Sequence, residues 1–521
     1  MQKPCAEKEA LFTSVPVGRA ILSLAVPTVL SQIITVVYNM ADTFFIGQLG
    51  DPNQVAAATI AMPLFIFLTA LANLFGIGGA SLISRCLGVG DREKAGRCSA
   101  FCLWSAAGIA AAYGLLVLLL LPLLLPILGA NEQTHDFARR YLFWTVCLGS
   151  APTVLNPAFA HLIRAEGYSR QASLGVAFGG ILNIALDPLF IFVFRMQIEG
   201  AAMATMLSNI AACLYFLCLL RRLRGKISIR VLPKYYTLRQ RIPGEVLSVG
   251  LPSFLISTMA VISNTMLNRF IASYANEAVA GMGIAKRIDL MAFAVAQGMA
   301  QGTLPLIGYN FTSGNRARMR SAIRTLLLYC ILVSCTVTAG LYLAAVPVTK
   351  LFINDAATAS FGTLFLRIIC LACPTTSLNI FVITVFQATG KKLQPIFLSL
   401  LRKGSLDVAL MAVLNRTAGI RGVAWASPIA DAAALMISGV MLLCYLRRLY
   451  KEPLPAPSSD LNWSSPGGDL PPGPPLSDVL SPVFLSLQNP HLIFLPLTAI
   501  IEKQFSGASE ICLYGVVSKW L

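Results

Sequence analysis

The chain has 521 residues, of which 56% are hydrophobic and only 12% are charged. Soluble domains carry about 25% charged residues, so this composition excludes disordered, collagen-like and disulfide-scaffold proteins and disfavours a soluble enzyme. The net charge is +17, and the basic residues form short clusters between apolar runs. Such clusters are typical of loops that face anionic lipid head groups, so we expect membrane lipids rather than nucleic acid as partners.

The N-terminal segment, residues 1–17, is polar, carries four charges between Lys3 and Glu9 and lacks the apolar stretch of a secretory signal. We expect it to be a cytoplasmic N-terminus. After it, twelve runs reach the roughly 20 apolar residues that a membrane-spanning helix needs. They cover approximately residues 20–46, 54–83, 98–128, 138–158, 168–194, 200–220, 246–272, 278–308, 321–346, 361–388, 395–414 and 422–446.

The distribution of Lys and Arg gives an independent check on this number of spans. Bases concentrate in alternate loops, at residues 85–97, 164–170, 221–241, 316–320, 391–392 and 447–451, while the loops between these hold few. The positive-inside rule therefore predicts that both ends of the twelve-helix core are cytoplasmic. We expect a multi-pass protein of the plasma membrane, which is the inner membrane of a prokaryote.

An internal repeat divides the chain into two halves. Gly90-Asp91 corresponds to Gly314-Asn315, and similar pairs with offsets of 222 to 225 residues run through most of each half. Because each half holds six spans, both begin on the same side and form parallel repeats, with a substrate path in a central cavity between them. The predicted divisions are an N-lobe at 18–222, a basic linker at 223–245 and a C-lobe at 246–448.

Two carboxylates of the N-lobe lie inside predicted spans, where ionisable groups are costly and therefore suggest function. Asp42 lies near the end of the first span, and Asp187 lies in the fifth, four residues after Asn183. That spacing places the amide and the carboxylate on one helix face, as oxygen ligands for a hard cation or as a protonation site. Pro188 is expected to kink the helix and free nearby carbonyls. For Asp42, a solvated structural position near the membrane surface is the alternative.

The C-lobe carries a mixed set of charges. The set consists of Lys286, Arg287 and Asp289 in the eighth span, Arg402, Lys403 and Asp407 in the eleventh, and Asp431 in the twelfth. Lys403 and Asp407 are four residues apart and can pair on one helix face. Structural ion pairs and a role in gating or in contact with an anionic substrate both fit this pattern.

Several neutral polar residues in the spans are candidates for lining the cavity. They are Gln32, Tyr38, Asn156, Asn264, Gln297 and Gln301. Gly298-x-x-x-Gly302 is a spacing that allows close helix packing. The one C-x-x-C pair, Cys370 and Cys373, has no second pair and no nearby histidine, so we expect no metal and no cofactor. No nucleophile–base constellation is evident either, and we expect no enzyme.

Three motifs in the same order resemble the multidrug and toxic compound extrusion (MATE) family, and more narrowly its prokaryotic DNA-damage-inducible branch. They are Tyr38-Asn-Met-Ala-Asp42-Thr43, Asn183-x-x-x-Asp187-Pro188 and Leu304-Pro305-Leu-Ile-Gly308-Tyr-Asn310. The resemblance covers about residues 18–448 and implies an all-α, two-lobed antiporter that exports cationic or amphipathic drugs in exchange for Na⁺ or H⁺.

The resemblance also implies site residues. Asp42, Asn183, Asp187 and Thr205 would form a cation site in the N-lobe, with Tyr38 and Asn156 near it. The seventh and tenth spans lack the carboxylates that another branch uses for coupling.

A second interpretation is a flippase for lipid-linked precursors with a related two-lobed fold. It requires a cationic cavity, which Lys286, Arg287, Arg402 and Lys403 could supply. The tail, residues 449–521, is rich in Pro, Ser and Gly and is predicted to be mostly disordered. We expect the protein to be a monomer.

Overall fold

The computed structural model describes residues 10–352 and 355–451, and these are almost entirely helical. In the first half, the helices are α1 (Val17–Gly47), α2 (Pro52–Gly88), α3 (Arg92–Ile127), α4 (Glu132–Leu142), α5 (Ser150–Ala165), α6 (Ser169–Pro188) and α7 (Gln197–Arg222). In the second half, they are α8 (Ile242–Ala272), α9 (Asn276–Thr312), α10 (Arg316–Leu343), α11 (Ala345–Phe352), α12 (Ala356–Cys370), α13 (Cys373–Ala388), α14 (Leu393–Ser399) and α15 (Asp407–Lys451). Apart from its first residues, the predicted tail lies outside the described part of the chain.

Eight of the described helical segments are long and apolar enough to cross a membrane, and two bent pairs raise the number to ten. The bent pairs are α4 with α5, at 50°, and α12 with α13, at 41°. The stretch Leu393–Tyr450 counts once but has 58 residues and a non-helical break at Gly419, so it is long enough for two passes. α9 is not among these segments, but with 37 residues it is also long enough to cross a membrane. Counting Leu393–Tyr450 as two passes and adding α9 to the ten gives twelve, the number of spans that the sequence predicts.

The turn before α3 and the turn before α10 show how the repeat is built. Gly90 and Gly314 have φ of 80° and 77°, a left-handed conformation that glycine adopts without steric cost. The next residues, Asp91 and Asn315, cap their helices by accepting a hydrogen bond from the backbone N–H three positions later, at 2.8 and 3.0 Å. Equivalent sequence positions therefore form equivalent helix starts in the two halves.

The two repeats pack against each other through α2 with α8 and through α1 with α9. A Cβ atom at Gly78 would lie 2.2 Å from the carbonyl oxygen of Val246, and one at Gly302 would lie 2.7 Å from the Cα of Ala25. Gly78 and Gly302 occupy equivalent positions, 224 residues apart, so the two interfaces are related by the repeat. The close packing predicted for Gly298-x-x-x-Gly302 is confirmed, and it joins the two lobes.

These close approaches lie near one end of the bundle, which we call the basic side. It is the end at which the segments 89–91, 223–241, 313–315 and 389–392 connect the helices, and the basic clusters lie in or beside these segments. Gly88, at the end of α2, also lies against α9 there, since a Cβ on it would be 2.1 Å from Thr312 Oγ1. In this structure the lobes are therefore closed against each other at the basic side.

Candidate functional site

The core of the candidate site is formed by α6 and α7. Asn183 Nδ2 donates a hydrogen bond to Asp187 Oδ1 at 3.2 Å, as the spacing of four residues predicts. The same nitrogen also donates to Thr205 Oγ1 on α7 at 3.4 Å. The three residues are buried, and Asp187 has no exposed surface. The structure thus brings together three of the four residues that the family resemblance implies.

The helix changes form directly after this site. Residues Leu189–Val193 follow Pro188 as a wider π-helical turn. Proline has no N–H to donate to the preceding turn, and single π turns often occur beside functional positions. The predicted disturbance at Pro188 is therefore present, as a widening of the helix.

Asp42 approaches from α1, where it is half-buried, and has a partner that the sequence did not reveal. The hydroxyl of Tyr141, on α4, lies 3.5 Å from Asp42 Oδ2. α1, which carries Asp42, packs against α6, which carries Asp187. Nothing in the sequence around Tyr141 signals this contact, because it depends on the packing of helices that are distant in the chain.

Three oxygen atoms of the site lack a hydrogen-bond donor among the described residues. They are Asp42 Oδ1, Asn183 Oδ1 and Asp187 Oδ2, and all three are enclosed by the protein. Within the described part of the chain, no basic side chain forms an ion pair with either carboxylate. Buried charges are normally paired or bound to a cation, so these oxygens fit a proton or a hard metal ion.

A chain of amides extends the site toward α5. Asn156 Nδ2 donates to Asn209 Oδ1 at 2.8 Å, and Asn209 Nδ2 donates to the backbone oxygen of Thr205 at 2.9 Å. Tyr38 packs beside Gly180, which lies one turn before Asn183. A Cβ atom at Gly180 would be 3.0 Å from the ring of Tyr38. Tyr38 and Asn156 therefore lie near the site as the resemblance implies, while Asn209 is a member that we did not predict.

The remaining cavity candidates are not gathered at this site. Gln32 Nε2 donates to Gln301 Oε1 at 3.1 Å, which forms a polar contact between the lobes. Gln297 is half-buried on α9, and Asn264 is exposed on α8.

The predicted C-lobe charges are arranged differently, because Asp289, Asp407 and Asp431 each have a basic partner. Arg402 makes two hydrogen bonds to Asp431, at 2.6 and 3.0 Å, and both residues are 2% exposed. Thr376 also donates to Asp431. This pair joins the π-helical turn Leu400–Leu406 to the part of α15 that follows the break at Gly419, so it fixes the internal packing of the C-lobe.

Two further ion pairs complete the set. Lys403 Nζ lies 3.3 Å from Asp407 Oδ2, and Asp407 also accepts hydrogen bonds from Ser263 and Ser427 at 2.6 and 2.7 Å. On α9, Lys286 lies 4.0 Å from Asp289. Arg287, next to it, is exposed.

Comparison with known proteins identifies the family. The MatE family model matches residues 27–189 and 252–413, one match in each repeat. The multidrug export protein MepA of Staphylococcus saprophyticus is 29% identical over 438 residues, which cover 84% of this chain and 95% of that protein. MepA of Staphylococcus aureus strain MRSA252 is 30% identical over 442 residues, with the same coverage.

Solved structures give the same assignment. A multidrug resistance MATE family transporter of the MOP superfamily, in its outward-facing conformation, is 25% identical and has a TM-score of 0.80. The match covers 85% of this chain and 98% of that one. A MATE in complex with MaL6 has the same TM-score at 24% identity and shows the same fold, over 85% of this chain and 99% of that one. The predicted all-α, two-lobed membrane fold is confirmed, and the DNA-damage-inducible branch stays a prediction. This chain belongs to the MATE family, and it is a membrane transporter rather than an enzyme.

Proposed function

We propose that this protein is a cation-coupled antiporter that exports amphipathic or cationic small molecules. H⁺ or Na⁺ is the coupling cation, and Asp42, Asn183, Asp187 and Thr205 form its site. The observation that carries the proposal is the contrast between the lobes. Arg402 and Lys403 neutralise C-lobe carboxylates, whereas Asp42 and Asp187 have no ion-pair partner among the described residues.

This contrast matters because an unpaired buried carboxylate is strongly disfavoured in a membrane protein. The N-lobe site keeps two carboxylates without a basic partner among the described residues, the buried Asp187 and the half-buried Asp42, together with an amide oxygen that has no donor there. A site of this kind gains most by taking up a cation. We infer that the N-lobe is maintained for cation binding and that the C-lobe charges are structural.

Coupling follows from competition for one group of atoms. A cationic drug near Asp42 and a proton or Na⁺ on Asp42 and Asp187 would each neutralise the same charges. Binding of one therefore weakens binding of the other, and this linkage is reciprocal. A cation entering from the side where it is abundant would displace the drug to that side.

The closed contact at the basic side supports an outward-facing state. α2 packs on α8 and α1 packs on α9 near that side, where glycines allow close approach. If the basic side is cytoplasmic, as the positive-inside rule indicates, the path is closed to the cytoplasm in this structure. We place the protein in the plasma membrane of a prokaryote, with both ends of its core cytoplasmic. One chain supplies both lobes and the complete site, so a monomer suffices for transport.

The structure weakens the case for a lipid flippase. That function requires free positive charge in the cavity, but Lys286, Arg402 and Lys403 each have a carboxylate within 4.0 Å. Only Arg287 of the predicted four lacks such an ion pair among the described residues. We therefore favour export of cations or amphipathic compounds.

The test is transport of a fluorescent cation, ethidium, by proteoliposomes that contain the full chain. A pH gradient and a Na⁺ gradient are imposed separately on wild type, Asp187→Asn and Asp42→Asn. We expect one of the two gradients to drive transport in wild type. The transport rate should be at least tenfold lower in Asp187→Asn, and its dependence on the cation gradient should be weaker in Asp42→Asn. The control is Asp136→Asn, which removes a carboxylate that is 57% exposed and paired with Arg140.

Gradient-driven transport by Asp187→Asn at the wild-type rate would contradict the coupling role. An unchanged cation dependence in Asp42→Asn would return Asp42 to a structural role near the membrane surface. Transport that no cation gradient drives, from a folded protein, would refute the antiporter.

A further inference from the structure

A second polar cavity lies at the basic side, outside the proposed coupling site. Its volume is about 410 Å³, and it is lined by Arg85, Arg241, Gly244, Glu245, Val249, Gly390 and Lys392. This volume falls within the range of about 300–1,000 Å³ that is usual for small-molecule sites. The cavity is therefore large enough for a small organic ligand as well as for a single ion.

The lining is strongly basic. Arg85, Arg241 and Lys392 contribute three positive charges, and Glu245 contributes one negative charge. Glu245 is already engaged, with Arg85 Nη1 at 3.3 Å and Lys94 Nζ at 3.2 Å. Lys94 does not line the cavity, so the lining keeps an excess of two positive charges. An occupant that balances this excess is a dianion.

Arg85 supplies an unused donor. Its Nε donates to the backbone oxygen of Ser81 at 3.3 Å, and its Nη1 pairs with Glu245. Its Nη2 is enclosed and has no acceptor among the described residues. The guanidinium lies against Gly390, where a Cβ would be 2.6 Å from Nη1. Gly390 also has a φ of 71°, a left-handed conformation that favours glycine. The lack of a side chain at this position leaves space for the Arg85 guanidinium.

The backbone also favours an anion. Gly244 and Glu245 belong to the first turn of α8, which begins at Ile242. Pro243 has no N–H, and the N–H groups of Ile242 and Glu245 donate to the backbone oxygens of Arg239 and Arg241. The contribution of this turn is therefore the helix dipole, which favours negative charge at the N-terminal end. This turn adds to a site that the three basic side chains already define.

We propose that this cavity binds a phosphate ester through Arg85, Arg241 and Lys392. A phosphate monoester carries about two negative charges near pH 7, and its oxygens match the arginine donors. The phosphate belongs either to a soluble phosphorylated compound or to a lipid head group at the membrane surface. Arg85 comes from the first repeat and Lys392 from the second, so the ligand holds the lobes together at the basic side.

Binding is measured on the purified full chain, in nanodiscs of the zwitterionic lipid phosphatidylcholine. The soluble probes are inorganic phosphate and glycerol 3-phosphate, titrated by equilibrium dialysis at constant ionic strength. In the lipid arm, phosphatidic acid, a lipid that ends in a phosphate monoester, replaces part of the phosphatidylcholine, and the increase in Tm is recorded. Each arm compares wild type with Arg241→Gln/Lys392→Gln. Arg85 is left unchanged in this variant, because it also forms an ion pair with Glu245. The control is Arg239→Gln, which removes an exposed base of the same linker that does not line the cavity.

We expect saturable binding in one arm, weakened at least tenfold by the double variant and unchanged by Arg239→Gln. In the lipid arm the corresponding result is a Tm increase that the double variant loses. Binding of the soluble probes identifies a free phosphate ester, and an effect confined to the lipid arm identifies a head group. The proposal is overturned if neither arm shows binding, or if the double variant and Arg239→Gln behave alike. None of these readouts depends on transport, so failure of the antiporter proposal leaves this test intact.

Discussion

The buried ion pair between Arg402 and Asp431 gives the sharpest prediction about stability. Both side chains are 3% exposed, and two hydrogen bonds of 2.6 and 3.0 Å join them. Replacing only one partner leaves the other charge buried and without its ion pair, which costs about 3–5 kcal/mol. We therefore expect Arg402→Met and Asp431→Leu each to lower the free energy of unfolding by that amount.

The double variant Arg402→Met/Asp431→Leu should cost much less than the sum of the two. It removes both desolvated charges, and Arg402 Nη1 has no acceptor among the described residues even in the native pair. Apolar replacement of a buried ion pair is often close to neutral. We expect a coupling energy above about 2 kcal/mol in a double-mutant cycle.

The assay is reversible unfolding in mixed micelles, with the fraction folded followed at increasing denaturing detergent. Lys403→Met is the comparison, because Lys403 is 18% exposed and its partner Asp407 keeps hydrogen bonds from two serines. It should cost less than Arg402→Met. Single costs below about 1 kcal/mol, or costs that simply add, would refute the view that this pair fixes the C-lobe interior.

Three further predictions concern the N-lobe and the contacts between lobes. Gly302→Leu should abolish transport and lower Tm, since its side chain would meet the backbone of α1; a wild-type Tm and rate would contradict the close packing. Tyr141→Phe should alter the pH or Na⁺ dependence of transport while the protein stays folded, because it removes the hydroxyl beside Asp42; an unchanged dependence would show that this contact plays no part in coupling. In the loop after α5, burial raises the pKa of Glu166 from its ordinary value of 4.5 to about 7. The folded state therefore binds the proton more tightly, and stability should fall by at most about 3 kcal/mol as pH rises from 4.5 to 7. Glu166→Gln, whose amide oxygen can still accept the hydrogen bond from the Ser228 N–H, should flatten this part of the stability profile; an equally steep profile would exclude Glu166 as its source.

Contacts within one helix could be predicted from the sequence. Asn183 with Asp187 and Lys403 with Asp407 follow from helix geometry, since residues four apart share a face. The repeat could also be predicted, because equivalent turns need the same residue types. Its glycines recur where the structure requires a left-handed residue or a close approach between helices.

Contacts between distant helices could not be predicted in this way. The partners of Asp42 and Asp431 are separated from them by 99 and 29 residues. Their proximity depends on how whole helices pack, which hydrophobic periodicity does not determine. The bends of 50° and 41° also escaped prediction, because hydropathy alone gives one continuous apolar run in each case.

If drug and cation exclude each other from one site, each must be able to drive movement of the other, and drug-driven movement of the coupling ion is the most direct test. Proteoliposomes containing the full chain are loaded with an amphipathic cation, with no gradient of H⁺ or Na⁺, and the internal concentration of each coupling ion is followed. We expect outward movement of the drug to drive one of these ions inward, so that its internal concentration rises above the external one. We expect no such movement in Asp187→Asn. Drug efflux from wild type without counter-movement of either ion would contradict the account.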